Sequence, residues 1–101
     1  MSVLMTLRVQ GDAKRLEALY ASDPTFFSDV ADKGKKMGAT QHHFYATDTE
    51  ILVVDEWPDE ATFQSFFHST PEIGKAMAEA GVTSAPEITI YRQLDLGDDI
   101  G

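Results

Sequence analysis

Four consecutive residues, Ile51-Leu52-Val53-Val54, are all apolar, inside a stretch that otherwise has the character of a strand. Neighbouring side chains of an extended chain point to opposite faces. This strand is therefore apolar on both sides, with Ile51 and Val53 against Leu52 and Val54. Near the C-terminus the feature recurs, with Ile88 and Ile90 on one side and Tyr91 on the other. An antiparallel sheet with one face in water should show a cleaner polar side. Both faces of this sheet are thus expected to be covered.

The remaining chain supplies cover for one face only. Residues 2–10 alternate with a period of two, Val3, Met5, Leu7 and Val9 sharing a side, and read as a strand. Gly11 breaks that pattern and Asp12 is placed to cap a helix. Leu16, Leu19 and Tyr20 follow at helical spacing until Pro24, which cannot continue the helical ladder. Ser22 or Asp23 as cap, with Pro24 in the first turn, is expected to restart the helix. Phe26, Phe27, Val30 and Met37 then carry an apolar face to Gly38, a natural stop. Residues 40–46 and 50–57 read as two strands joined at the sequence TDTE. Asp59, after Pro58, caps a second helical region bearing Phe63, Phe66 and Phe67 at i, i+3 and i+4. Within it, Thr70 is expected to cap a restart at Pro71, and Gly81 ends the region. Residues 86–94 form the last strand, and residues 95–101 an acidic tail free to fray or to reach a partner.

The order is strand, helix, strand, strand, helix, strand. It predicts an α+β domain, 1–101, with a ferredoxin-like βαββαβ arrangement. Its four-stranded antiparallel sheet carries both helical regions on one face. A second copy packed sheet to sheet would cover the other face, so a homodimer through the open sheet face is expected.

Charge narrows the partners. The net charge of −9 disfavours nucleic acid and anionic membrane surfaces, whose affinity comes from Lys and Arg. The one basic cluster, Lys33, Lys35 and Lys36, ends a predicted helix, where cations are stabilising. With no cysteine, disulfides, thiolate chemistry and cysteine-based zinc sites are excluded. No apolar run reaches the roughly 18 residues of a membrane span, and the N-terminal segment lacks the pattern of a signal peptide. A cytoplasmic location is expected.

The segment from Gly38 to Ile73 resembles the antibiotic-biosynthesis-monooxygenase-like group of dimeric α+β barrels. Gly38 precedes the second strand, Glu56-Trp57 ends the third, Asp59 to Phe67 form an acid-capped helix with an aromatic face, and Thr70-Pro71 marks the restart. About a third of the chain carries this likeness closely, and the rest agrees in element order. The resemblance implies a dimeric α+β barrel. Its members include cofactor-free oxygenases of aromatic or quinol substrates, haem-degrading enzymes, and proteins without demonstrated activity, so fold alone leaves function open. Members often carry a His in the middle of the second helix. Phe66 stands there in this chain, and His68 lies about 200° around the helix. The Asn–Trp–His set of haem-degrading members has no counterpart, since the first strand lacks Asn and residues 74–80 lack His. Haem degradation is not expected; haem binding through another His stays open.

Strand alternation divides the polar residues of the hairpin. A two- or four-residue loop pairs His42 with Asp55 and Phe44 with Val53, and puts Thr40 opposite Trp57 on the same face. His43, Tyr45, Leu52, Val54 and Glu56 take the other face. A three-residue loop or a bulge would put His43 opposite Asp55 instead. Asp48-Thr49 is not the Asn-Gly pair favoured in two-residue loops, so four residues are preferred. Which face meets the helices stays open.

His42 and Asp55 are the candidate catalytic pair, because a carboxylate fixes the imidazole tautomer. In a cleft lined by Phe44, Trp57, Phe63, Phe66 and Phe67, such a pair can remove a phenolic or quinol proton. That is the first step a cofactor-free oxygenase needs. The plain alternative is a structural pair near a sheet edge. Arg8 either binds an anionic group of a ligand or pairs with one of the chain's 17 acids. His43 is expected at the interface. Adjacent strand residues face opposite ways, so His42 and His43 cannot serve one compact metal site, and neither metal nor cofactor is expected. The functional expectation is a small-molecule-binding barrel, with cofactor-independent monooxygenation of an aromatic, quinol or polyketide-like substrate as its reaction. The alternatives are a non-catalytic member whose cavity binds a metabolite or serves packing alone, and a haem binder.

Overall fold

The computed structural model describes residues 2–101. Strands β1 (Val3–Gln10), β2 (Gln41–Ala46), β3 (Glu50–Trp57) and β4 (Glu87–Arg92) form one antiparallel sheet in the order β2-β3-β1-β4. This is the ferredoxin-like arrangement. Each crossover holds two short helices: α1 (Ala13–Ser22) and α2 (Phe26–Lys36), then α3 (Glu60–His68) and α4 (Glu72–Glu79).

The two breaks fall at the two prolines, but the local capping differs from expectation. Asp12 does cap α1, accepting the Lys14 N–H at 2.9 Å. Neither Ser22 nor Asp23 caps α2. The Ser22 hydroxyl and the Asp23 N–H both donate back to the Leu19 carbonyl, closing α1. Pro24 and Thr25 form a turn between the helices, which holds both residues away from the first turn of α2. Thr70 is likewise corrected. Its buried hydroxyl donates to the Phe66 carbonyl at 2.7 Å, so it closes α3 rather than capping α4. At the start of α3, Asp59 accepts from both the backbone N–H and the hydroxyl of Thr62, each at 2.7 Å. These bonds stabilise the charged form and hold its carboxyl below the usual carboxylate range. Gly38, at φ +116°, ends the first helical region, and a Cβ there would stand 2.9 Å from Pro58 Cγ.

The hairpin keeps the register that pairs His42 with Asp55 and Phe44 with Val53. Its last cross-strand pair is Ala46 with Ile51, leaving residues 47–50 between. Thr40 departs from expectation: it precedes β2, and its hydroxyl donates to Glu56 at 2.6 Å rather than lying against Trp57. β4 ends at Arg92, two residues early, because Arg92 already faces Val3, the first residue of β1. Beyond it, Leu94, Leu96 and Ile100 are exposed.

The face that meets the helices is the one bearing Met5, Leu7, Val9, Ile51 and Trp57, all buried against Phe63, Phe66 and Ala80. Leu4, Leu52, Val54, Tyr45 and Tyr91 occupy the opposite face, where Leu4, Tyr45 and Tyr91 stay exposed. The core is aromatic-rich. Trp57 packs on Phe63 and Phe66 at centroid distances of 5.9 and 5.0 Å, and Phe63 stacks on Phe67 at 5.7 Å.

Phe63→Ala removes the most enclosed ring of α3 and should cost about 3–5 kcal/mol in urea unfolding. That is a large share of the ~5–15 kcal/mol typical of a domain. The Asp59 cap gives a pH signature. Because its folded pKa lies below its unfolded value, its contribution is present above the ordinary carboxylate range and is lost as pH falls through the folded pKa. Asp59→Ala should lower the melting temperature at neutral pH, and the gap to the native protein should narrow in acid. Asp59→Asn, which keeps an acceptor, should lose less.

Candidate active site

A cavity of about 100 Å³ lies between the sheet and the helices. The sheet supplies its floor through Val53, Asp55 and Trp57 of β3 and through His42 and Phe44 of β2. α3 contributes Phe63, Phe66 and Phe67, and α4 contributes Ile73 and Met77. Of the substrate-contacting residues read from the sequence, the structure brings Trp57, Phe44, Phe63, Phe66 and Phe67 to this one place, beside His42 and Asp55. Arg8 is the exception. It lies on the opposite face of the sheet, bonded to Glu87 through Nε at 3.0 Å and Nη2 at 2.5 Å, and to Glu50 at 3.3 Å. The physical reason is the pleat: Arg8 follows Leu7, which faces the helices.

The polar centre is small. Asp55 Oδ1 lies 2.6 Å from His42 Nδ1, across the hairpin. Its other oxygen accepts the indole N–H of Trp57 at 3.1 Å. The Asp55 side chain is 6% exposed and that of His42 32%, so the acid lies inside and the imidazole at the mouth. With Asp55 ionised its oxygens only accept, and the shared proton sits on His42 Nδ1. In the neutral imidazole Nε2 then carries a lone pair, and among the described residues it has no hydrogen-bond partner. That tautomer sets a proton acceptor next to apolar walls.

Phe27 is a site residue that the sequence reading placed only on a helix face. Its ring meets Phe44 edge-on at 5.6 Å, while Phe44 meets His42 at 5.1 Å. Together they form an aromatic rim beside the imidazole. The Phe26-Phe27 doublet was visible at the helix restart; both rings line the cavity, Phe26 as the more buried of the two. His43 is on the opposite face beside Tyr45, at a ring distance of 6.3 Å. His68, at the end of α3, touches Phe67 at 5.6 Å and does not line the cavity.

No protein-family model matches the chain, and no curated protein matches it. Its likeness is to solved structures. SnoaB, a cofactor-independent oxygenase from Streptomyces nogalater, superposes with a TM-score of 0.63 at 15% identity, covering 96% of this chain and 98% of that one. A protein of Deinococcus radiodurans, named provisionally as an antibiotic biosynthesis monooxygenase, gives 0.64 at 14% identity, covering 98% and 99%. The chain has the fold of antibiotic biosynthesis monooxygenase-like proteins. Rv0793 from Mycobacterium tuberculosis shares it too, with a TM-score of 0.63 and 14% identity over 97% of this chain and 100% of that one. At such identities the likeness concerns architecture, and side-chain chemistry has to be read from this chain itself.

Gly34 offers a probe of the cavity. It lies in α2, and an added Cβ would meet Phe66 and Trp57 at ordinary contact distances of 3.5–3.7 Å. Gly34→Ala should raise stability by about 1 kcal/mol through helix propensity while shrinking the cavity. The expected outcome is a higher melting temperature with weaker binding of a phenol measured by calorimetry.

Proposed function

We propose that this chain binds a small hydroxyl-bearing aromatic molecule between sheet and helices and oxygenates it without a cofactor. One observation carries the reading: the 2.6 Å His42–Asp55 pair stands at the mouth of a largely apolar, aromatic-lined cavity. In this reading Nε2 of His42 takes the proton of a phenol or quinol hydroxyl, and Asp55 stabilises the resulting imidazolium. The apolar walls hold the electron-rich anion, which is the species that reacts with O₂. At a ring C–H ortho or para to that hydroxyl, one oxygen atom stays on the carbon as a carbonyl and the hydroxyl carbon becomes the second carbonyl of a quinone. The other oxygen leaves as water with the hydroxyl proton and the hydrogen of that carbon. The substrate is its own reductant, so no further electron donor is consumed. SnoaB, of the same fold, is a cofactor-independent oxygenase, which supports the reaction class.

Size limits the ligand to one ring at most. A cavity of roughly 150 Å³ holds benzene in a comparable apolar setting, and the one in this chain is about 100 Å³. A fused polyketide-like ligand requires the helices to move apart. The small size also supports a second reading, a non-catalytic member whose cavity binds a metabolite or serves packing alone, because Phe66, Phe67, Met77 and Trp57 already occupy much of the space between the layers.

The active unit in this proposal is a homodimer. The face bearing Leu4, Leu52, Val54, Tyr45 and Tyr91 is apolar at its centre, and on the same face Arg8 pairs with both Glu50 and Glu87, offsetting one of their two charges. A second copy packed on this face completes an α+β barrel and accounts for a strand that is apolar on both sides. Among the described residues, no helix is long and apolar enough to cross a membrane.

Oxygen consumption with a panel of monocyclic quinols and anthrones tests the reaction. Turnover should be measurable for the native protein and fall by about 10²–10⁴-fold in His42→Ala, the usual range for a lost general base. Equal rates in the two proteins would remove the base. Ligand binding with no oxygen uptake would favour the second reading. For the assembly, sedimentation should give a dimer at micromolar concentration and a monomer for Val54→Glu; a native monomer would sink the barrel.

A further inference from the structure

We infer that Trp57 acts as a positioning residue through its indole N–H, setting the orientation of Asp55 and hence the tautomer of His42, rather than by stacking on a ligand. The inference rests on the reading of His42 as the base. Three facts lead to it. Trp57 is 1% exposed and its ring is already in contact with Phe63 and Phe66, which leaves little of the ring free for a ligand. Its one polar atom is a donor and is spent on Asp55 Oδ2 at 3.1 Å. Asp55 lies two positions earlier on the same strand and the same face, so the strand itself fixes the spacing of indole and carboxylate.

The consequence concerns the second oxygen. A carboxyl group on a strand can rotate about its terminal bond, a broad two-fold torsion. With one oxygen held by the indole, the other is fixed toward Nδ1 of His42. The side-chain bonds of Asp55 come from these two donors alone among the described residues, so the indole is half of its support. Loss of that donor frees the carboxyl to turn. His42 then loses a fixed partner at Nδ1 and distributes its proton between the two ring nitrogens. A fraction of molecules would then present N–H, not a lone pair, to the ligand.

Trp57 is the only tryptophan in the chain, which allows a clean test. Biosynthetic replacement of tryptophan by 3-benzothienylalanine keeps the shape of the indole and replaces its N–H with sulfur. Nitrogen-15 spectra of the His42 ring, assigned with His42→Ala, report the tautomer directly. In the native protein the two ring nitrogens should differ as a fixed Nδ1–H form requires. In the analogue, and in Trp57→Phe if it folds, the two resonances should move toward each other. Turnover of a quinol should fall roughly tenfold through kcat, about the worth of one hydrogen bond to a charged group. KM should hold, because the ring that shapes the cavity remains. An unchanged tautomer signature in the folded analogue would overturn the inference, even if turnover fell. The two readings fail separately. If His42→Ala consumes oxygen at the native rate, the base is wrong; if His42→Ala is inactive and the analogue's spectrum is native, the positioning role is wrong.

Discussion

The register of one hairpin decides which polar side chains face the cavity of this molecule. A slip of one residue between β2 and β3 would exchange every side chain between the faces. His43 would stand opposite Asp55, and Phe44 would leave the rim of the cavity. The observed pairing is fixed from both ends. Residues 47–50 close the turn, with the Thr47 N–H donating to the Glu50 carbonyl at 2.9 Å. At the other end the Thr40 N–H reaches the Glu56 carbonyl at 3.0 Å. Burial of Ile51, Asp55 and Trp57 holds β3 against β1, so a slip would fall on β2, turning the exposed His43 and Tyr45 toward the helices and His42 and Phe44 away from them.

Much of this was legible in the sequence because two periods carry it. The period of two in β1 and β3 gave the strands and the His42–Asp55 pairing. The two proline interruptions gave four short helices in the order found. What could not be read is how each break is bridged. Ser22 and Thr70 are both good capping residues by type, yet both hydroxyls turn back to close the preceding helix. Local preference offers Ser and Thr both uses, and the tight turn through the proline settles which is satisfied. Arg8 fails as a cavity residue for a related reason. Alternation puts it on one face or the other, and only packing of the helices against Met5, Leu7 and Val9 says which face holds the cavity.

In the proposed function the aromatic layer has two roles that pull in opposite directions. Close packing of Trp57, Phe63, Phe66 and Phe67 is what holds two pairs of short helices on the sheet, since helices of 8–11 residues have little stability of their own. A ligand site needs those same rings to leave space. Gly34 reconciles the two on the α2 side, bringing the helix backbone near Phe66 and Trp57 while contributing no side-chain volume. On the β2 side the exposed ring of Phe44 meets Phe27 edge-on, an arrangement that packs without sealing the mouth.

Asp55 is the residue that packing alone does not explain. Every neighbour of its position on the helix-facing side of β3 is apolar, and a Leu or Val there would bury without the desolvation that a carboxyl group incurs. Replacing buried charged pairs by apolar groups of similar volume is often neutral or stabilising. The acid nonetheless sits at 4% exposure, held by two donors, one of them on a half-open imidazole. A purely structural pair has no need of a nitrogen left free beside a cavity. Local cost borne at a position where a reactive group is oriented toward open space is the pattern expected of a functional site. In this chain that cost falls on three side chains, His42, Asp55 and Trp57, brought together by a single register.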